Sequence, residues 1–353
     1  MKKDEKMSIE DMTAYMRIVP ERKASYAEFP DTMNDEIKEY LRKQGINALY
    51  THQTEMFEKA GRGENSVITT STASGKTLAF LLPVLQKILE DPLTRAIFVY
   101  PTKALASDQY RSLQPVLEYF GEGKIQAGVY DGDTMPAERS RIRKSANIIL
   151  TNPEMLNSAF LPNHSKYGFD FIFANLRYIV IDELHNYRGA FGAHLANIFR
   201  RMYRICQYYH SSPQFLCSSA TIANPVELAK KVGHVSKVLY HWRMHGGSVA
   251  GDPTSKMYAY DAGKKAIQSH RIIQPPEIKG HNDKVYGRYA ASTVAADMLP
   301  DLVKEQRHFI AFGKSRRTVE VILKEARDKL DAAGFLSQAD SRKIAGYRGG
   351  YTP

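Results

Sequence analysis

A short apolar run that gives way to small hydroxylated residues and then Gly-Lys-Thr constrains this chain more than any other stretch. Residues 67–77 read Val-Ile-Thr-Thr-Ser-Thr-Ala-Ser-Gly-Lys-Thr. Val67 and Ile68 suit a buried parallel strand, and residues 78–89 suit a helix. Strand, tight loop and helix in that order make an anion cradle. The loop's backbone N–H groups and the positive end of the helix dipole converge on one point. Lys76 is placed to reach terminal phosphates, and the Thr77 hydroxyl to sit on a magnesium ion. The full Gly-x-x-x-x-Gly-Lys-Ser/Thr pattern is not met, because Thr70 holds the place of the first glycine.

A second apolar strand, Tyr178-Ile179-Val180-Ile181, delivers two acids, Asp182 and Glu183, followed by Leu184 and His185. Buried carboxylates are costly without a cation. The pair therefore reads as a metal ligand (Asp182) and a base for an attacking water (Glu183). His185 reads equally as a hydrogen-bonding histidine with no catalytic part. Ser218-Ser219-Ala220-Thr221 follows the apolar stretch 214–217 and is placed to bond across to those carboxylates, with helix capping as the alternative. Two more loops, 101–109 and 151–156, follow strand ends and begin helices, which suits either backbone phosphates or ordinary capping.

Around these motifs, short apolar runs alternate with helical segments. Strands are expected over 66–69, 95–100, 125–129, 147–150, 177–181 and 214–218. Helices are expected over 76–90, 103–119, 135–145, 153–160, 191–209 and 225–232, with an earlier one over 32–44 capped by Asp31 and another opening at Thr51. That alternation specifies an α/β fold, a parallel sheet with helices on both faces and its site at the strands' C-terminal ends. Residues 1–30 read as a polar leader, 31–243 as the first domain, 244–256 as a Gly/Ser/Pro-rich linker and 257–353 as a second, partial domain. The second domain should hold helices over 292–306 and 315–332 and strands over 308–312 and 343–347.

Lys plus Arg number 49 against 38 Asp plus Glu, a net charge of +11 that favours a polyanionic partner, most simply nucleic acid. The two cysteines form no Cys-x-x-Cys pair, which argues against a zinc site or disulfide framework and for a reducing cytoplasm. No apolar run approaches the ~18 residues of a membrane span.

The ordered set Ser-Thr-Ala-Ser-Gly-Lys-Thr, Pro-Thr-Lys-Ala-Leu-Ala-Ser-Asp-Gln, Tyr-Asp-Gly-Asp-Thr, Thr-Asn-Pro-Glu-Met-Leu, Asp-Glu-Leu-His and Ser-Ala-Thr resembles superfamily 2 helicases with DExH boxes. It is most similar to the bacterial mitomycin-repair helicases and their fungal RecQ-like relatives. The resemblance implies two RecA-like domains, ATP and Mg2+ as cofactors, and single-stranded or duplex-junction DNA as partner, with RNA as the alternative. It implies that Thr72, Ala73, Ser74, Gly75, Lys76 and Thr77 form the phosphate loop. Gln53 would recognise adenine, and Thr77 and Asp182 would hold the metal. Lys76, Asp182 and Glu183 would carry catalysis, with His185, Ser219 and Thr221 coupling it to strand movement. Thr102, Lys103, Asp131, Thr151 and Arg316, with Arg317 beside it, lie in motifs used along nucleic acid. The family's arginine finger and four-cysteine region are expected beyond Pro353, so weak turnover is expected of these residues alone.

Overall fold

The structure is a computed structural model. It describes residues 12–19, 24–69, 75–121, 123–220, 224–233, 239–241, 268–279, 285–305, 309–311, 313 and 315–332. The chain forms two compact units, one of Glu21–Ala266 and the other of Met1–Pro20 with Ile267–Pro353.

Seven parallel strands make the sheet of the larger unit: β1 (Ser66–Thr69), β2 (Arg95–Val99), β3 (Ala127–Val129), β4 (Ile148–Thr151), β5 (Leu176–Ile181), β6 (Gln214–Ser219) and β7 (Leu239–His241). Their order is β7-β1-β6-β5-β2-β4-β3. Six lie where the apolar runs predict strands, and the short β7 was not expected. Because helices cover both faces, the strands are apolar on both. Ile68, Phe98, Leu150, Val180 and Leu216 face one core, while Val67, Val99, Ile149, Ile181 and Cys217 face the other. Truncating Ile68, Phe98, Leu150 or Leu216 to alanine removes about 2–5 kcal/mol. Cys206 and Cys217 are buried free thiols. Burial pushes them up to about 11 and about 12, so neither is a reactive thiolate at neutral pH.

The first core is covered by α1 (Asp35–Lys43), α2 (Thr51–Gly61), α3 (Lys76–Glu90) and α4 (Lys103–Phe120). The other core takes in α5 (Pro136–Ser145), α6 (Gly189–Tyr208) and α7 (Pro225–Gly233). Asn34, rather than Asp31, caps α1 by accepting from Glu36 N at 2.8 Å. The helix expected over 153–160 is one α-turn (Pro153–Met155) that widens into a π-turn (Leu156–Phe160).

The start of α6 approaches the chain just after the paired acids. A Cβ on Gly192 would lie 2.4 Å from the Tyr187 carbonyl oxygen, a backbone atom that cannot swing away. Gly192→Ala should therefore destabilise the unit by about 1–3 kcal/mol, read as a lower thermal midpoint. An unchanged midpoint would show that α6 shifts freely.

In the second unit, Thr13–Val19 pairs antiparallel with Gln268–Ile273, and Glu277–Lys279 with Val285–Arg288. The first of these strands lies in the stretch expected to be a leader. Tyr26–Ala27 in the same stretch pairs with Leu49–Tyr50 in the larger unit. Helices α8 (Ala291–Lys304) and α9 (Arg316–Ala332) pack through Ala296, Leu299, Ile322 and Ala326. Residues 309–311 are not a strand, contrary to expectation. A strand exists only through ladder partners, and the described residues offer them none. Linker 244–256 and the expected strand 343–347 lie outside the described residues.

Candidate active site

Parallel strands bring every strand-end motif to one edge of the sheet. The order β1-β6-β5 sets the strand that precedes Gly75, the strand that ends in Ser218 and Ser219 and the strand that delivers the paired acids side by side. The loops after β2, β4 and β3 line the other half of the same edge.

Gly75 caps α3 in the left-handed region at φ +74°, which glycine adopts without strain. A Cβ there would lie 2.5 Å from Gln53 Nε2. Gln53 donates from Nε2 to the Gly75 carbonyl at 3.0 Å, and its Oε1 accepts from Tyr50 N at 2.9 Å. Gln53, expected to read adenine, is buried and links the start of α2 to Gly75 through one N–H and one carbonyl lone pair of its amide. The ring of Tyr50 stacks on Tyr26 at 5.2 Å and on His52 at 5.6 Å, an aromatic ladder beside Gly75 that the sequence pattern did not reveal. Lys76 opens α3, and Thr77 Oγ1 donates to Gln109 Oε1 on α4 at 3.3 Å. Thr72, Ala73, Ser74 and Thr221 lie outside the described residues.

Asp182 is 5% exposed. Its Oδ1 accepts from Ser218 Oγ and, at 2.9 Å, from Glu183 N. Register explains the first bond, since Ile181 pairs with Cys217 and the next residues therefore meet. Ser218, not Ser219, bridges the strands. Burial pushes the Asp182 carboxyl up, against the opposing pull of Ser218, the Glu183 N–H and Lys76. Glu183 sits in the left-handed region at φ +52°, uncommon for a residue with a Cβ, so the chain turns sharply out of β5. His185 stabilises that turn. Ala220 N donates to its Nδ1 at 3.2 Å, which leaves the proton of the neutral ring on Nε2, 3.2 Å from Glu183 Oε2. One imidazole thus ties the tail of β6 to the base candidate on β5. The buried hydroxyls of Ser219 and Tyr187 find no hydrogen-bond partner among the described residues. The charges of Asp182 and Glu183, after burial itself, push the Tyr187 phenol upward.

These groups suit a nucleoside triphosphate with magnesium. Thr77 and Asp182 are hard oxygen donors, and the N-terminus of α3, opened by Lys76, offers backbone N–H groups to an anion.

The expected strand-binding residues divide. Thr102 and Lys103 are exposed. Thr102 caps α4 by accepting from Leu105 N at 3.3 Å, and Lys103 pairs with Asp133 at 2.9 Å. Thr151 is fully buried and its hydroxyl donates to the Tyr130 carbonyl at 2.7 Å. Asp131 is buried as well. Its carboxylate accepts from Asp133 N and Thr134 N at 2.8 and 3.1 Å and shapes its own turn. Arg316 begins α9 in the other unit, and its side chain is not described.

The DEAD/DEAH box helicase family matches residues 50–229. YprA of Bacillus subtilis, an uncharacterised ATP-dependent helicase, is 40% identical over 344 residues, covering 98% of this chain and 42% of that protein. The ATP-dependent helicase HRQ1 of Saccharomyces cerevisiae is 33% identical, covering 95% of this chain and 29% of its own. The crystal structure of the DUF1998 helicase MrfA bound to DNA and AMPPNP matches with a TM-score of 0.84 at 37% identity, covering 97% of this chain and 44% of that one. This chain therefore spans less than half the length of each of these relatives. With the phosphate loop, the paired acids and the family match over residues 50–229 in agreement, the chain belongs to the DEAD/DEAH box helicase family.

Proposed function

We propose that this chain is the ATP-hydrolysing part of a motor that tracks along DNA and serves DNA repair in the cytoplasm. The network at the ends of β5 and β6 carries the reading. Ser218 holds Asp182, His185 orients Glu183, and the phosphate-loop strand lies next to both. In this reading Lys76 binds the terminal phosphates, while Thr77 and Asp182 hold magnesium, which when bound neutralises phosphate charge. Glu183 takes the proton of the attacking water. His185 keeps the carboxylate aimed and transmits movement of the Ser219–Thr221 segment. Thr102 and Lys103, with Arg316 of a second RecA-like domain over 257–353, contact the strand through its phosphates, so base sequence matters little. The relative MrfA, crystallised with DNA, favours DNA over RNA.

Steady-state ATPase assays test this. Turnover should require Mg2+ and rise more with single-stranded or junction DNA than with RNA of the same sequence. Greater stimulation by RNA would reassign the partner, and no Mg2+-dependent turnover would refute the motor. The same assay measures the weak turnover expected of these residues alone.

A further inference from the structure

Thr77 and Gln109 come from different elements and meet at one hydrogen bond. Thr77 stands at the second position of α3 and Gln109 on α4, the helix whose first turn carries Thr102 and Lys103. Thr77 Oγ1 lies 3.3 Å from Gln109 Oε1, and both residues are half-buried. A threonine hydroxyl has one proton and two lone pairs. Donating its proton to the glutamine carbonyl fixes the rotor and turns the lone pairs the other way. A hydroxyl that is to ligate a cation needs that arrangement, because metal-ligating groups are oriented by outer hydrogen-bond partners.

We propose that Gln109 is a positioning residue for the magnesium of this site, fixing the Thr77 hydroxyl as a ligand and linking the strand-facing helix α4 to the metal. The proposal rests on the reading of Thr77 as a magnesium ligand. In this role Gln109 acts only through Thr77, by the bond its Oε1 accepts. Removing such an outer partner costs ~10–100-fold in metal affinity. Because α4 begins at Thr102 and Lys103, a strand that shifts its first turn also shifts the acceptor that holds Thr77.

The experiment is a titration of a fluorescent ATP analogue with and without Mg2+, on the full chain and three variants. Gln109→Leu should leave Mg2+-free affinity within about twofold and raise the Mg2+ concentration at half-effect by ~10–100-fold. Gln109→Glu, which keeps an acceptor and loses the donor, should restore a Mg2+ response near that of the parent. Thr77→Ala should lose the response at least as fully as Gln109→Leu. An unchanged Mg2+ response in Gln109→Leu alongside a lost one in Thr77→Ala overturns the proposal. An unchanged response in Thr77→Ala overturns instead the assignment of Thr77 as ligand. A loss of affinity in Gln109→Leu equal with and without Mg2+ would make the contact merely structural, and that too overturns it.

Discussion

Glu183→Gln should bind ATP as tightly as the parent, within about twofold, and turn it over ~10²–10⁴-fold more slowly, the usual worth of a general base. The geometry separates the two effects. In the proposed reading phosphate affinity comes from Lys76 and the α3 N-terminus, whereas Glu183 serves only the attacking water. Its carboxylate is held by His185 from one side, at 3.2 Å, and is placed by a backbone turn at φ +52°. Glutamine keeps the shape and still accepts from His185 Nε2, so the fold around it is retained and only the basic oxygen is lost. Lys76→Ala is the opposite control, expected to weaken binding first. Titration of a fluorescent ATP analogue and single-turnover hydrolysis measure the two quantities. Equal loss of binding in both variants would sink the division of roles. If Glu183→Gln retained full turnover, the base would have to be another group.

Much of this arrangement is legible in residue order. Apolar strands buried on both faces need no partner information to be recognised, and six of the seven in the main sheet lie where their runs place them. The acids and the phosphate loop follow, since parallel strands send their C-terminal ends to one edge. Harder to read is anything set by pairing. Thr13–Val19 is a strand only because Gln268–Ile273, far along the chain, supplies its ladder. β7 is three residues long and too short to show a period. Side-chain roles set by burial are also hidden. Thr151 and Asp131 sit in the expected loops, yet one hydroxyl is turned inward and one carboxylate is spent on its own turn. Ser218 was within reach of the sequence, because aligning the ends of 177–181 and 214–217 places it opposite Asp182. No residue type signals the left-handed turn at Glu183, which stores local strain where the chemistry is expected.

Asp182→Asn should abolish Mg2+-dependent hydrolysis, by ~10²-fold or more, and at the same time raise the thermal midpoint of the nucleotide-free protein near neutral pH. Both effects come from one buried carboxylate. Burial raises its pKa in the folded chain above the ordinary value of 3.8, so the native state holds its proton more tightly than the unfolded state does. Stability therefore falls as pH rises from about that ordinary value through the raised one, and the deficit persists at neutral pH. Asparagine cannot ionise, yet its Oδ1 can still accept from Ser218 and from Glu183 N, so the network survives without the charge. The gain in midpoint should shrink on acidification and vanish once the parent carboxyl is protonated in both states. A cation in the site would reverse the comparison. Ligand bound only to the native state stabilises by mass action, so Mg2+ with a non-hydrolysable nucleotide should raise the parent's midpoint and the variant's far less. Melting curves at several pH values, with and without Mg2+-nucleotide, read the whole pattern. A variant less stable than the parent near neutral pH would mean that Asp182 is held mainly by its hydrogen bonds, and its charge would no longer mark a metal site.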